Sequence, residues 1–137
     1  MADAYILLSH QLSKDVQAKE LLEDFRGCGI YQLPPELQHF WSQADVDDQY
    51  RDGLLGIIEW LTNVTRKGDY ICVQGEWGLV YAVVSWSLNR GRIPIYASST
   101  RSSVEERDNE GVVRKTSLFR HKRFALYERP WMKIRQE

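Results

Sequence analysis

Apolar residues recur along this chain in two rhythms, short unbroken runs and longer stripes. Ala4-Tyr-Ile-Leu-Leu8 is apolar without alternation, the pattern of a strand buried on both faces. After Ser13, a fair N-cap, Ala18, Leu21, Leu22 and Phe25 form a helical stripe that stops at Gly27-Cys-Gly29. Ile30 to Leu33 predicts a short second strand. Pro34-Pro35 opens a brief helix through Phe40-Trp41, with proline in its favoured first turn.

Asp45, Asp47 and Asp48 place negative charge at the start of the next helix, where the macrodipole favours it. Tyr50, Leu54, Ile57, Ile58 and Leu61 give that helix its buried face, and Gly68 follows as a cap. Tyr70 to Val73 is a third buried strand, and Leu79 to Leu88, apolar almost all round, predicts a buried helix ending at Gly91. Ile93 to Ala97 reads as a fourth strand, with Pro94 placing it near a sheet edge or marking its first residues. Ser103–Arg107 and Val112–Thr116 flank the turn signal Asp108-Asn-Glu-Gly111 and predict a β-hairpin, and Phe119 to Tyr127 predicts one more strand.

This alternation predicts a single α/β domain over residues 1–137, a Rossmann-like, mainly parallel sheet flanked by helices. Residues 1–100 form its core, 101–128 a C-terminal β-hairpin and extra strand, and 129–137 a tail. Between the third strand and the apolar helix lies Gln74-Gly75-Glu76-Trp77-Gly78. Gly75 can turn where a Cβ would clash, and Gly78 admits a close approach by backbone or ligand. The first amides of the following helix would then form a ready anion site. Two glycines three apart make neither a full dinucleotide fingerprint nor a P-loop, and a plain tight turn explains them equally well.

Composition changes this picture little. A chain of 137 residues that is 43% hydrophobic and 27% charged is ordinary for a globular protein, and a net charge of −1 argues against broad binding to duplex DNA. The charge is unevenly spread: from Arg101 onward there are ten Lys/Arg against six acids. Cys28 and Cys72 show no metal spacing and read as reduced core cysteines. The start Met-Ala-Asp-Ala is unlike a signal peptide, and no apolar run approaches membrane-spanning length, so a cytoplasmic location without membrane partners is expected.

In open α/β sheets ligands bind beyond the carboxyl ends of the strands. Three such ends here are polar: Ser9-His10-Gln11, Gln74-Gly75-Glu76 and Ser98-Ser99-Thr100-Arg101. Hydroxyls and amides suit phosphate and base edges, Arg101 suits bidentate phosphate binding, and His10 suits proton transfer near neutral pH. Ser9 has no base-and-orienter partnership and reads as a binder, which argues against a serine-hydrolase triad. Glu76 has three readings: a contact to a ribose hydroxyl, a base, or charge at the helix N-terminus. His39 reads as structural. Arg120, His121, Lys122 and Arg123 read as a solvated face rather than a lid over ligand.

The ordered set Ile6-Leu-Leu-Ser9-His10-Gln11-Leu12-Ser13, Leu33-Pro-Pro-Glu36-Leu-Gln38 with Trp41, Val73-Gln74-Gly75-Glu76-x-Gly78 with Tyr81-Ala82, and Tyr96-Ala97-Ser98-Ser99-Thr100-Arg101 resembles the CRISPR-associated Csx-twenty family, from about Tyr5 to Tyr127. The resemblance implies a CARF-like fold and a ring nuclease of type III CRISPR antiviral defence, one that binds and cuts cyclic oligoadenylate. With it, His10, Arg101 and Glu76 become the candidate catalytic residues, and Ser9, Gln11, Gln74, Gly75, Trp77, Gly78, Ser98, Ser99 and Thr100 the candidate binding residues. No cofactor or metal is expected, because the ligand carries its own nucleophile, a ribose 2′-hydroxyl. The repeat symmetry of cyclic tetra-adenylate suits a two-fold homodimer, with Trp77, Trp86 or Trp131 as apolar surface for it, though Trp86 suits the core better.

A protein that sequesters the same ring without cutting it would use the same strand ends. A generic Rossmann-like nucleotide enzyme is disfavoured by the missing glycine fingerprint and the missing acidic ribose partner. An RNA-binding module would need interleaved aromatic and basic residues, which only Phe119-Arg-His-Lys-Arg-Phe124 supplies.

Overall fold

The computed structural model describes residues 2–9 and 29–128, and for 99–104 and 116–123 the backbone alone. The helix expected over Ser13–Phe25, with Cys28, His10 and Gln11 around it, and the tail containing Trp131 lie outside the described residues. In chain order the elements are β1 (Ala4–Leu7), β2 (Ile30–Gln32), α1 (Pro35–Ser42), α2 (Tyr50–Val64), β3 (Tyr70–Val73), α3 (Trp77–Asn89), β4 (Ile93–Arg107) and β5 (Val113–Leu126). They build a mixed sheet of order β2-β1-β3-β4-β5 flanked by helices. β2, β1, β3 and β4 run parallel, and β5 returns antiparallel to β4.

The unbroken apolar run of β1 is explained by burial on both faces. Tyr5 and Leu7 join Ile71 and Val73 in one core, packed against Trp41, Ile57, Leu61, Leu79 and Val83 from the helices. Ala4, Ile6 and Leu8 join Cys72, Ile95 and Phe124 on the opposite face. Each fully buried Leu, Ile or Val contributes roughly 1.5–3 kcal/mol relative to exposure, so the central strands carry much of the stability. Cys72 is a free, buried thiol whose pKa burial pushes up to about 12. Among the described residues, no helix is long and apolar enough to cross a membrane.

Several expectations need correction. β4 does not end at Ala97 but continues to Arg107, and β5 runs unbroken through the polar stretch expected to separate hairpin from final strand. The reason is mutual: Ser102 and Ser103 pair with Leu118 and Ser117, so each polar run finds its hydrogen bonds in the other. Pro94, by contrast, is the second residue of β4, one of the two positions expected of it, and β4 lies next to the edge strand β5. α2 is capped at Thr65, while Gly68, at φ 90°, makes the turn that follows. α3 is buried only along Leu79, Val83 and Ser87, because it packs on one face of the sheet as an outer layer. Trp86 is half-buried against the core, with the Arg92 guanidinium 5.1 Å from its ring centre.

α1 is pinned to the end of the sheet by three side chains. Trp41, 1% exposed, donates its indole N–H to the Gln74 carbonyl at 2.9 Å. Gln38 donates to the Leu8 carbonyl at 2.8 Å, and the Ser42 hydroxyl to the Ser9 carbonyl at 3.0 Å. A Cβ on Gly75 would lie 2.8 Å from the Trp41 indole nitrogen, so glycine there is required by the tryptophan. Gly75→Ala is therefore expected to cost about 1–3 kcal/mol in denaturant unfolding, and less when Trp41 is already Phe. Equal costs in the two backgrounds would show that the indole does not set this constraint.

Candidate functional site

The sheet reverses its order of growth at β1, with β2 added on one side and β3 on the other. Crevices form at such a switch point beyond the carboxyl ends of the strands. A cavity of about 540 Å³ lies to one side of that point, on the β4–β5 side of the end of β3, lined by Gln74, Gly75, Trp77, Val80, Tyr81, Val84 and Tyr127. Its floor is the β3–α3 turn, one wall is α3, and Tyr127, just past β5, forms the other.

The floor is held by side chains that replace a finished ladder. The Gln74 amide lies against Ala97 of β4: its Oε1 accepts from the Ala97 N–H at 3.1 Å, and its Nε2 donates to the Ala97 carbonyl at 3.4 Å. This continues the β3–β4 pairing by one residue after the backbone has turned away. The Tyr127 hydroxyl donates to the Val73 carbonyl at 2.7 Å, and its ring lies 4.8 Å from that of Tyr96. Burial, then the neighbouring Cys72 and Tyr96 groups, push the Tyr127 pKa up to about 12, so it remains a donor throughout the neutral range.

Glu76 is the N-cap of α3. Its carboxylate accepts from the Gly78 amide at 2.9 and 3.0 Å, from the Leu79 amide at 3.2 Å and from the Tyr50 hydroxyl at 3.0 Å. Partial desolvation opposes its ionisation, but these donors outweigh it and hold the carboxyl below its ordinary value of 4.5. Tyr50 shifts upward, through desolvation and then through its hydrogen bond to Glu76. Two of the helix amides expected to await an anion, those of Gly78 and Leu79, are thus taken by Glu76, which occupies the third of its three anticipated roles. A Cβ on Gly78 would lie 2.5 Å from the Tyr50 oxygen, so the close approach that Gly78 permits is that of Tyr50.

Of the candidate residues, Gln74, Gly75 and Trp77 line the cavity together. Glu76 and Gly78 turn instead toward Tyr50, and Ser9, exposed, is tied to α1 through its carbonyl. Ser98, Ser99, Thr100 and Arg101 are consecutive positions of β4, just beyond the Ala97 that Gln74 holds. Their partners on β5 are Arg123, His121, Arg120 and Phe119 in that order, with an irregularity between Ser98 and Ser99. The basic segment is therefore paired strand rather than a loose lid. His10 and Gln11 lie outside the described residues. Tyr50, Tyr81 and Tyr127 also belong to the site, through Glu76, the cleft wall and Val73. Tyr81 follows Trp77 at helical spacing and was findable, whereas Tyr127 reaches Val73 across 54 positions and has no local signal.

Among the described residues no group of three or more His, Cys, Asp or Glu side chains is placed to hold a metal ion. His39 borders a separate small polar cleft with Asp45, Asp47 and Gln49.

The model of the family described as "Uncharacterized protein MJ1673 family" matches residues 2–125. The chain is similar to "Uncharacterized protein MJ1673" of Methanocaldococcus jannaschii, 32% identical over 129 residues, which cover 93% of this chain and 98% of that protein. No solved structure matches.

The Glu76 cap makes a pH-dependent prediction. Its folded pKa is lowered, so its stabilisation is complete above the ordinary value of 4.5 and is lost as pH falls through the folded value. Glu76→Ala should cost about 0.5–2 kcal/mol at pH 7, with the difference from wild type shrinking below pH 4.5 in urea titrations. Tyr50→Phe should raise the Glu76 pKa in a carboxyl-carbon NMR titration; an unmoved value would remove Tyr50 from this account.

Proposed function

We propose that this chain, which belongs to the MJ1673 family, binds a cyclic oligoadenylate along the carboxyl rim of its sheet and opens the ring without a metal ion, as a CARF-like ring nuclease of the Csx-twenty type. The observation that carries this reading is the cleft beside the carboxyl end of β3. It is walled by an aromatic helix face on one side and by Tyr127 on the other, and the β4–β5 ribbon that runs on beyond Ala97 carries Arg101, Arg120 and Arg123 in its sequence. An aromatic cleft beside basic positions suits a ligand that is both planar and anionic.

The chemistry asks little of the protein. The ribose 2′-hydroxyl attacks the neighbouring phosphorus, the bond to the 5′-oxygen breaks, the hydroxyl proton leaves to a base, and the 5′-oxygen takes up a proton. The product is a linear oligoadenylate ending in a 2′,3′-cyclic phosphate. In-line positioning supplies most of the barrier reduction, of order 7 kcal/mol or more in favourable cases. His10 is assigned to proton transfer and Arg101 to the charge on the phosphorane. Ser9, Gln11, Ser98, Ser99 and Thr100 contact phosphate and sugar, and Glu76 serves by holding the turn. A cleft of about 540 Å³ takes one nucleoside rather than a four-nucleotide ring. The reading therefore includes a two-fold homodimer whose clefts share the ligand.

Sequestration without cleavage is the second reading. It is favoured by the engagement of both Gln74 and Glu76 side chains in hydrogen bonds internal to the protein. Incubating the purified chain with radiolabelled cyclic tetra-adenylate in EDTA separates the two. Linear product, reduced at least tenfold by His10→Ala or Arg101→Ala, is the expected result, a modest fraction of the roughly 10²–10⁴ that proton transfer contributes. Retention of an intact ring assigns the sequestering role, and a ring neither bound nor cut ends the proposal.

A further inference from the structure

Trp77 and Tyr81 are one helical turn apart on α3, and both stand out from the surface, 91% and 78% exposed. Large aromatic side chains cost free energy in water, and these two do not fill the core beneath them. They form the outer wall of the cleft, with Val80, Val84 and Tyr127 completing an apolar lining. Its volume falls within the range of small-molecule sites, about 300–1,000 Å³.

The polar groups at the floor of this cleft are engaged elsewhere. Both ends of the Gln74 amide lie on Ala97, the Gln74 carbonyl accepts from Trp41, and the Tyr127 hydroxyl donates to Val73. The cleft thus offers an occupant mainly the apolar side chains of its walls, while the polar groups of its floor are held in bonds internal to the protein. Charge orients the occupant as well. Glu76 closes the N-terminus of α3 with a carboxylate, whereas strand positions 101, 120, 122 and 123 beyond Ala97 are all basic.

We infer that Trp77 and Tyr81 form a stacking platform for a single nucleobase, which enters the cleft by its π-face while its phosphate lies toward the β4–β5 ribbon. The inference rests on the proposed function for taking the anionic ligand to be a nucleotide. It adds that this subsite does not select adenine: stacking accepts any base, so discrimination between bases comes from elsewhere in the site.

The test uses the full chain with cyclic tetra-adenylate, AMP, UMP and ribose 5-phosphate as probes, read by calorimetry and by tryptophan fluorescence, with molecular mass measured by light scattering. The ring is expected to bind and quench fluorescence, AMP and UMP to bind within a few-fold of one another, and ribose 5-phosphate far more weakly. Trp77→Ala and Tyr81→Ala should each weaken ring binding about 5- to 150-fold, with Trp77→Phe close to wild type. Both side chains are exposed, so the folded state should persist, as checked by circular dichroism. Unchanged ring affinity in both alanine variants overturns the platform and leaves the ring-binding reading standing. Conversely, Trp77-dependent binding of AMP and UMP without binding of the ring keeps the platform and ends that reading. If Trp77→Ala turns a dimer into a monomer without altering nucleotide affinity, the face belongs to a second copy and the inference fails. Wild-type protein that binds none of the nucleotides overturns both.

Discussion

When β3 runs out at Val73, backbone groups that had been paired in the sheet need new partners in a corner walled by apolar side chains. The Gln74 amide provides one set, standing in for the next strand residue and holding Ala97 at both its N–H and its carbonyl. Trp41 supplies another by donating to the Gln74 carbonyl, Leu7 accepts from the Gln74 N–H, and Tyr127 donates to the Val73 carbonyl. A buried polar group left unpartnered costs about 1–3 kcal/mol, so these bonds together decide whether the turn can exist where it does. The position of α3, the departure of β4 beyond the sheet and the shape of the cleft all follow from it.

The same turn sets the electrostatics of the rim. A helix N-terminus after a strand is ordinarily the natural seat for an anion. In this chain it is filled by its own Glu76, steadied by Tyr50 from α2, so the fixed charge at this helix end is negative. Positive charge is moved sideways to the β4–β5 ribbon. The apolar wall and the basic stretch of sequence are therefore carried by different elements, α3 and the β4–β5 ribbon.

Local signals were reliable where the structure is local. β3, the proline-led α1, the buried stripe of α2 and the Asp108–Gly111 turn follow the pattern of residues closely. In that turn the Asp108 carboxylate accepts from the Glu110 and Val112 amides, an arrangement encoded within five residues. The ribbon was less legible. Ser98-Ser-Thr-Arg-Ser-Ser contains nothing that separates a solvated loop from a strand of an extended ribbon, because such a ribbon has no need of an apolar face. Its hydrogen bonds lie on residues 114–123, and only their register reveals it. The site was legible in part for the same reason. Gln74 and Gly75 stand out in the sequence, but the partners that explain them, Ala97 and Trp41, lie more than twenty residues away.

The order of the described strands and helices from β1 to the start of β4 and the double burial of β1 and β3 were set by the sequence alone, since each depends on side-chain volume and polarity within one turn or one strand. Which atoms Gln74 and Glu76 hold, why Gly75 and Gly78 lack side chains, and that Trp77 and Tyr81 face solvent beside a cleft were decided only by the tertiary structure. Hydrogen bonding and steric exclusion act over a few ångströms in space, and the residues that exert them here come from elements far apart along the chain.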